Sequence, residues 1–247
     1  MTGYLVTGAT GQLGRPTAAA LRADGHDVRG LTSSGREGTA AADLVTGEGV
    51  DTALEGIDTV VHLATANGRR DLEMARTLAR AARRSGVGHL VLVSIVGVDR
   101  IPLPFYRDRL RIEEIVAGSG VPSTVQRATQ FHSLVAGLFA AQRFVPAVVA
   151  PAWRFQPVAA EEVAVRLAEL AVGEPRGRVP DIGGPEQRDL RDLHAAWKRA
   201  SGDRRPLLPV RLPGKLFAAY EGGAALVRGE PFGRRVFEDY LRERYGA

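Results

Sequence analysis

The sequence predicts an α/β fold in which a doubly wound parallel sheet is followed by a smaller C-terminal region. Short runs rich in β-branched residues alternate with helical patterns through the first half of the chain. That alternation is typical of βαβ units and a parallel sheet. The continuous apolar run Leu90-Val91-Leu92-Val93 indicates a strand that is buried on both faces, as in sheets of this kind.

The elements follow one another in the order that this architecture requires. Six strands are predicted, at residues 3–7, 27–31, 41–45, 59–63, 89–93 and 123–127. Helices are predicted at residues 15–23, 50–54, 71–85, 106–117, 161–172, 190–201 and 232–245. Pro16 fits the first turn of the first helix, and Gly25 ends that helix.

Basic residues in this chain are almost all arginine. Of the 33 lysines and arginines, only Lys198 and Lys215 are lysines, so mechanisms that need a lysine of shifted pKa have few candidates. The net charge of +5 comes from arginines dispersed among acids, as in Arg107-Asp108-Arg109, so we do not expect nucleic-acid binding. The chain has no cysteine, which excludes disulfides, cysteine–zinc sites and thiol nucleophiles.

No segment has the pattern of a membrane span. The most apolar stretch, 134–151, is interrupted by Gln142, Arg143 and Pro146, whereas a span needs about 20 apolar residues. The first residues lack the basic start and the apolar run of a signal peptide. We therefore expect a cytoplasmic protein that does not bind a membrane.

The most specific motif is a glycine-rich turn directly after the first predicted strand. Residues 6–14 read Val-Thr-Gly-Ala-Thr-Gly-Gln-Leu-Gly. Gly8 permits a tight turn, Gly11 lets a pyrophosphate approach the backbone, and Gly14 allows the helix to pack closely on the strand. The helix that follows offers free N–H groups to phosphates, so the motif predicts a dinucleotide in a Rossmann-type fold. The predicted contacts in this turn are Gly8, Thr10, Gly11, Gln12, Leu13 and Gly14.

The residues after the second strand bear on which dinucleotide binds. An acidic side chain there would bind the ribose 2′-hydroxyl of NAD, whereas arginine and hydroxyl groups suit the 2′-phosphate of NADP. The chain has no acid in this segment before Glu37, and it offers Ser33, Ser34 and Arg36. These residues favour NADP(H), with NAD as the alternative.

The regular alternation of strands and helices ends near residue 145. Beyond it, proline and glycine punctuate residues 173–185 and 206–214. We therefore expect residues 1–150 to form the NADP-binding core. Residues 151–247 are expected to form a small C-terminal region that packs on the core and covers a substrate.

Several segments resemble the atypical or extended branch of the short-chain dehydrogenase/reductase superfamily, which includes NmrA-like NAD(P)-binding proteins. The turn at residues 7–14 is the most specific part of a resemblance that spans most of residues 3–185. The other segments that carry it are Val60-Val61-His62-Leu63-Ala64, residues 91–99, residues 126–131, Phe155-Gln156-Pro157-Val158 and Glu161-Glu162-Val163-Ala164.

This resemblance implies cofactor contacts beyond the glycine turn, at the ends of the later strands. They are Asp43 and Leu44 beside the adenine, Leu63, Ala64 and Thr65 after the fourth strand, Ser94 after the fifth, Arg109, and Ala128 in the turn that faces the nicotinamide. The last 60 or so residues add little to the resemblance.

The chain departs from this superfamily at its catalytic pair. Many members use Tyr-x-x-x-Lys, in which lysine lowers the pKa of the tyrosine and the tyrosine donates a proton to a carbonyl. Here the frame with a basic residue reads Phe105 and Arg109, and no tyrosine has a lysine four residues later. Phenylalanine donates no proton and arginine does not deprotonate, although Arg109 can hold a ribose or a phosphate. Tyr106 lies one residue off that frame, about 100° around a helix.

Hydride transfer does not require that pair, because the cofactor carries the difficult step. The protein must place the acceptor and stabilise charge, and an acceptor that delocalises charge needs less help. The candidate catalytic residues are Tyr106, Ser94, Thr129, Gln130 and His132. For each of these residues, a role in packing or capping is the alternative. For Ser94 in addition, the position of the catalytic serine in the superfamily falls nearer Val96.

Two main functions from different classes remain open, together with a less favoured third. The first is an NADP(H)-dependent oxidoreductase that reduces a small carbonyl compound, a quinone or an enone, in the manner of a ketoreductase. The second is a non-catalytic NADP(H)-binding sensor or regulator, and an isomerase or dehydratase with tightly held NAD is a third possibility.

No group of His, Asp or Glu has metal-ligand spacing, so no metal is expected. The expected partner is a small-molecule substrate, and the chain is expected to be a monomer or a homodimer.

Overall fold

The computed structural model describes residues 2–35, 38–66 and 68–246 of the chain. Its strands are β1 (Gly3–Thr7), β2 (Asp27–Thr32), β3 (Thr39–Ala41), β4 (Thr59–His62), β5 (His89–Ile95), β6 (Ser123–Ala128), β7 (Val148–Pro151), β8 (Arg154–Phe155), β9 (Gly177–Arg178), β10 (Arg188–Asp189) and β11 (Leu207–Val210). Its helices are α1 (Gly14–Ala23), α2 (Val50–Ala53), α3 (Arg70–Arg84), α4 (Pro104–Ala117), α5 (His132–Ala140), α6 (Ala160–Val172), α7 (Leu190–Ser201), α8 (Lys215–Glu221) and α9 (Phe237–Tyr245). Across these described residues, no helix combines the length and the apolar character needed to cross a bilayer.

Seven of the strands form one sheet in the order β3-β2-β1-β4-β5-β6-β9. The pairs β1–β2, β2–β3, β1–β4, β4–β5 and β6–β9 run parallel. The chain moves outwards from β1 to β3 and resumes on the other side of β1 at β4, so the strand order reverses there. The predicted α/β fold with a doubly wound, Rossmann-type parallel sheet is confirmed. In such sheets a ligand binds beyond the carboxyl ends of the strands at the reversal.

Both faces of this sheet are buried under helices. On one face, Leu5 and Val60 belong to a buried cluster that includes Leu78 of α3, and α3 packs against α4. Side chains alternate along a strand, so Val6 and Val61 point to the opposite face, and they are fully buried as well. Helices α1 and α6 pack against each other and contact β1 and β4 respectively. Burial on both sides explains why the strands are continuous apolar runs.

Two predicted elements have the wrong bounds. The strand predicted at residues 41–45 is instead β3, which ends at Ala41, because the Asp43 carboxylate accepts a hydrogen bond from Val45 N at 2.7 Å and turns the chain. The helix predicted at residues 232–245 begins only at Phe237. The residues before it are extended or turning, and Gly233 N donates a hydrogen bond to Gly183 O at 2.9 Å.

The chain divides into two compact units whose segments are interleaved. The first comprises Met1–Ser94, Pro104–Arg127 and Ala160–Pro180, and the second comprises Ile95–Leu103, Ala128–Ala159 and Asp181–Ala247. The first unit holds nearly all of the large sheet together with α1–α4 and α6. The core of the second unit is formed by α5, α7 and α9, with Phe139, Leu193 and Leu241 fully buried. The expectation of a core at 1–150 and an appended region at 151–247 stays a prediction.

A buried ion pair ties β6 to α4 inside the first unit. Arg127 donates from Nε to Glu113 Oε1 at 2.9 Å and from Nη2 to Oε2 at 2.7 Å. The two side chains are only 4% and 10% exposed. Both charges therefore depend on each other for the solvation that water would otherwise provide.

We expect Glu113→Gln to lower the free energy of unfolding by about 3–5 kcal/mol, because it removes the carboxylate charge that binds the buried Arg127 guanidinium through two hydrogen bonds. Urea denaturation measures the change. Glu169→Gln is the matched control, since Glu169 pairs with Arg166 one turn away on α6 and is 57% exposed. That control is expected to cost no more than about 0.5 kcal/mol. Equal losses for the two variants would contradict the importance of the buried pair.

Candidate functional site

The turn after β1 has the geometry that the glycine spacing predicts. Gly8 adopts φ +66°, in the left-handed region that favours glycine, and its N–H donates to Leu31 O of β2 at 3.0 Å. The chain then turns back, with Gly11 N donating to Gly8 O at 2.9 Å. A Cβ atom on Gly8 would lie 2.9 Å from Ala64 Cα, so the turn packs directly against the residues that follow β4.

The start of α1 is packed against this turn and is open to a ligand. A Cβ atom on Gly14 would lie 2.1 Å from Gly8 O, which leaves room for no residue but glycine. No side chain caps α1 at Leu13. Gly11 and Gln12 are exposed, so the positive end of the helix is accessible to phosphate oxygens. These residues fit the pyrophosphate of a dinucleotide.

Thr7 holds the loop that follows β4. Its Oγ1 accepts hydrogen bonds from Leu63 N at 3.0 Å and Ala64 N at 3.1 Å. The hydroxyl proton of Thr7 is therefore donated to His62 Nδ1, 2.9 Å away. This fixes the neutral imidazole of His62 as the tautomer with its proton on Nε2.

His62 stays neutral because it is buried at the end of β4. Its pKa is lowered to about 4, mainly by burial and also by the nearby Arg109 guanidinium, while Asp71 acts in the opposite direction. A charged imidazole would also lose the hydrogen bond that it accepts from Thr7. The pair of Thr7 and His62 is thus a polar contact inside the sheet rather than an acid–base group.

Asp71 holds the next part of the same loop. Its Oδ1 accepts a hydrogen bond from Ala66 N at 2.5 Å, and its Oδ2 accepts one from Thr65 Oγ1 at 2.6 Å. Arg109 of α4 donates from Nη2 to Asp71 Oδ2 at 2.9 Å and to Thr65 Oγ1 at 2.8 Å. The predicted contacts Thr65 and Arg109 are therefore joined, through an acid that the sequence did not single out.

Arg109 retains donor groups beyond this cluster. Its Nε and Nη1 atoms have no hydrogen-bond partner among the described residues, and its side chain is 14% exposed. The Phe105 ring lies under the guanidinium, 5.3 Å from its centre to Arg109 Cζ. Burial lowers the pKa of Arg109 and Asp71 raises it, and an arginine remains charged under either influence.

The residues predicted to contact the adenosine half lie around the ends of β2 and β3. Ser33 and Ser34 follow β2 directly, and Ser34 is exposed. Arg36 lies outside the described residues. Asp43 is occupied in its own turn, where it accepts hydrogen bonds from Val45 N and Thr46 N, and Leu44 is buried.

The candidate proton donors differ in whether their polar atoms are already engaged. Ser94, at the end of β5, is 5% exposed, and its Oγ has no hydrogen-bond partner among the described residues. Tyr106 is 8% exposed in the first turn of α4, and both residues belong to the first unit. Their roles stay predictions.

Thr129, Gln130 and His132 belong to the second unit, where each is bonded to the backbone. Thr129 Oγ1 donates to Gln156 O at 2.5 Å, and Gln130 Nε2 donates to Ala225 O at 3.2 Å. His132 Nε2 lies 3.1 Å from Pro157 O, and its ring is flanked by Phe237 and Tyr240. Ala128, also in this unit, is buried, and its carbonyl accepts from Val96 N at 3.0 Å. These contacts support structural roles for the three side chains.

Thr7 and Asp71 are the site residues that sequence reasoning missed. Thr7 was noted as part of the glycine motif without a role of its own, and Asp71 as the start of a predicted helix. Asp71 lies in the first turn of α3, where acidic residues are common, and only its burial, with 3% of the residue exposed, marks it as unusual. Among the residues that the structure describes, no group of three or more His, Asp or Glu side chains is arranged to hold a metal ion.

Comparison with known families identifies the ligand class of this site. A family model described as NAD(P)H-binding matches residues 8–132. That range begins at Gly8 and includes the glycine turn, the loop after β4 and the Asp71–Arg109 pair. The family match thus covers most of the residues described above, although Thr7 lies just before it.

Two curated proteins with related sequences are reductases. A (4-alkanoyl-5-oxo-2,5-dihydrofuran-3-yl)methyl phosphate reductase of Streptomyces griseus is 32% identical over 217 residues, covering 82% of this chain and 74% of that protein. The chloroplastic divinyl chlorophyllide a 8-vinyl-reductase of Zea mays is 28% identical over 221 residues. That match covers 74% of this chain and 55% of the maize protein.

A solved structure shows the same fold. The NADPH-dependent quinone oxidoreductase of Escherichia coli, in complex with NADPH, superposes with a TM-score of 0.81 over 98% of this chain and 99% of that one. The two sequences are 17% identical, so the likeness is one of fold.

The buried neutral His62 makes stability depend on pH. The pKa of His62 is about 4 in the folded protein and near 6.5 in the unfolded chain. Between these pH values the unfolded chain binds a proton that the folded protein does not bind, so acid favours unfolding. We expect His62 to account for a loss of about 3 kcal/mol in the free energy of unfolding as pH falls from 7 to 4. Urea denaturation across this range, on the wild type and His62→Asn, measures it. The variant should show a shallower pH dependence, and identical slopes would contradict the neutral imidazole.

The close approach of Gly14 to Gly8 O predicts that adding one methyl group at residue 14 destabilises the folded protein. We expect Gly14→Ala to lower the free energy of unfolding by about 1–3 kcal/mol, since its Cβ would overlap Gly8 O. Gly137→Ala is the control, because a Cβ on Gly137 in α5 meets no atom within 4 Å. That variant is expected to gain up to about 1 kcal/mol from helix propensity. Thermal unfolding compares them, and an unchanged melting temperature for Gly14→Ala would refute the packing argument.

Proposed function

The chain belongs to the NAD(P)H-binding family, and on that premise we propose that it is an NADP(H)-dependent reductase of a small conjugated acceptor, a quinone or an enone. The observation that carries the catalytic part is the buried Ser94 hydroxyl, which has no hydrogen-bond partner among the described residues. It stands at the carboxyl end of β5, two strands from the glycine turn of β1. A buried donor without a partner costs stability; since Ser94 Oγ is also closed to solvent, its side chain or a neighbour must move before a ligand oxygen can satisfy it.

The choice of NADP(H) rests on the residues after β2. Ser33 and Ser34 offer hydroxyl groups where an acid would be expected for NAD, and no Asp or Glu occurs between Asp27 and Ser34. Arg36 remains a contact expected from the sequence. A 2′-phosphate is held well by hydroxyl and guanidinium donors, which supports NADP(H) over NAD.

The choice of a conjugated acceptor follows from what the chain lacks. No tyrosine is followed by a lysine at the fourth position, so the lysine-activated tyrosine that protonates an isolated carbonyl is absent from the sequence. The bound cofactor supplies a hydride. In a conjugated acceptor the resulting negative charge is delocalised onto an oxygen, and a hydrogen bond from Ser94 is enough to stabilise it while water provides the proton.

The names of related proteins support the same substrate class. The Streptomyces griseus relative acts on a dihydrofuran ring that carries an oxo and an alkanoyl group, and the Zea mays relative on a vinyl group. The Escherichia coli structure with the same fold is a quinone oxidoreductase. Each of these acceptors is unsaturated, which agrees with hydride addition to a conjugated system.

The purified protein is expected to oxidise NADPH with quinones and enones and much more slowly with saturated ketones, as followed by the nicotinamide absorbance. We expect Ser94→Ala to lower kcat by about 100-fold, because one stabilising donor is lost. Ser119→Ala is the control, since Ser119 Oγ bonds to the backbone of its own turn after α4, donating to Val116 O and accepting from Val121 N. Tight NADPH binding without turnover of any acceptor would overturn the reductase and favour a sensor.

A further inference from the structure

The Asp71 carboxylate is buried and fully engaged at a place where a ligand is expected. It is 3% exposed, and its oxygens accept hydrogen bonds from Ala66 N, Thr65 Oγ1 and Arg109 Nη2. Both carboxylate oxygens are thus occupied by donors of the protein. Asp71 therefore acts on other residues of the site.

The sheet order fixes which part of a dinucleotide lies beside this cluster. In a sheet of this type the adenosine ribose lies at the end of β2 and the pyrophosphate over the turn after β1. The strands follow each other as β2, β1, β4, so the second nucleoside extends to the side of β4. Thr65, Ala66 and Arg109 stand on that side, immediately after β4 and on α4.

Only one nitrogen atom of the Arg109 guanidinium is bonded to the described residues. Nη2 serves Asp71 and Thr65, whereas Nε and Nη1 have no partner among the described residues. The planar fork of arginine allows this division, because its donors point in fixed and different directions. The Phe105 ring below the guanidinium restrains its plane.

Resting on the function proposed above, we propose that Asp71 is a positioning residue for the cofactor. It fixes Arg109 so that Nε and Nη1 bind a hydroxyl or phosphate oxygen of the nicotinamide half. It also fixes Thr65 and Ala66 as the wall against which that half lies. The missing lysine is thus replaced by an arginine whose orientation is set by an acid on another helix.

The test compares the whole cofactor with its adenosine half. Dissociation constants for NADPH and for 2′,5′-ADP are measured on the wild type, Asp71→Asn and Arg109→Lys. Arg109→Lys keeps a cation beside Asp71 but replaces the fixed planar fork by donors on a single nitrogen, so it tests the same idea with the buried acid still paired. Asp51→Asn is the matched control, because Asp51 forms an exposed ion pair with Arg84 at 2.7 Å.

We expect both variants to bind NADPH about tenfold or more weakly while 2′,5′-ADP binding stays within about twofold, since a charge-assisted contact to the nicotinamide half is lost. Asp51→Asn should keep both constants. Equal weakening of the two ligands, or no weakening of NADPH in either variant, would overturn the positioning role.

The binding measurement separates this inference from the proposed function. A wild type that binds NADPH without reducing any acceptor overturns the reductase, yet the change in the NADPH to 2′,5′-ADP ratio still tests Asp71. A wild type that reduces enones, with variants of unchanged ratio, overturns the role of Asp71 and leaves the reductase intact.

Discussion

Two side chains hold the loop after β4 by its backbone, and the ligand crevice depends on how they do so. The Thr7 hydroxyl binds the N–H groups of Leu63 and Ala64, and the Asp71 carboxylate binds that of Ala66. The glycine turn packs on the same loop at Ala64. A loop fixed in this way presents its surface to a cofactor without an ordering cost at the moment of binding. The same two side chains also bond to His62 and Arg109, Thr7 to the imidazole and Asp71 to the guanidinium.

The parts of this site that were predictable are those set by local rules. The glycine turn is short, and Gly14 is required by a contact with Gly8, only six residues earlier. The roles of Thr7 and Asp71 depend on His62 and Arg109, which lie 55 and 38 residues away in sequence. No local sequence pattern predicts such contacts. The unpartnered state of Ser94 is likewise a property of its surroundings and not of its sequence.

The fold shows the same division between local and distant causes. The strands of the first half are apolar runs buried on both faces, and their positions were largely predictable. Strands β7 and β11 were missed, because each is stabilised by pairing with the other, Val148 with Leu207, across a long stretch of chain. Helix α5 was expected only as a helix start at His132, and its extent was not predicted because its residues are apolar on nearly every side and lack a clear helical period.

The interleaving of the two units has a consequence for how the protein is made. Helix α1 packs against α6, whose residues begin at Ala160, and the last strand of the large sheet, β9, ends at Arg178. A ribosome adds about 5–20 residues per second, so the amino-terminal strands wait several seconds for these partners. During that interval the apolar face destined for α6 is uncovered in the nascent chain. The segment 128–159, which belongs to the other unit, emerges before the first unit can close. Biosynthesis of this protein therefore leaves an apolar surface uncovered that a contiguous domain of the same size would bury sooner.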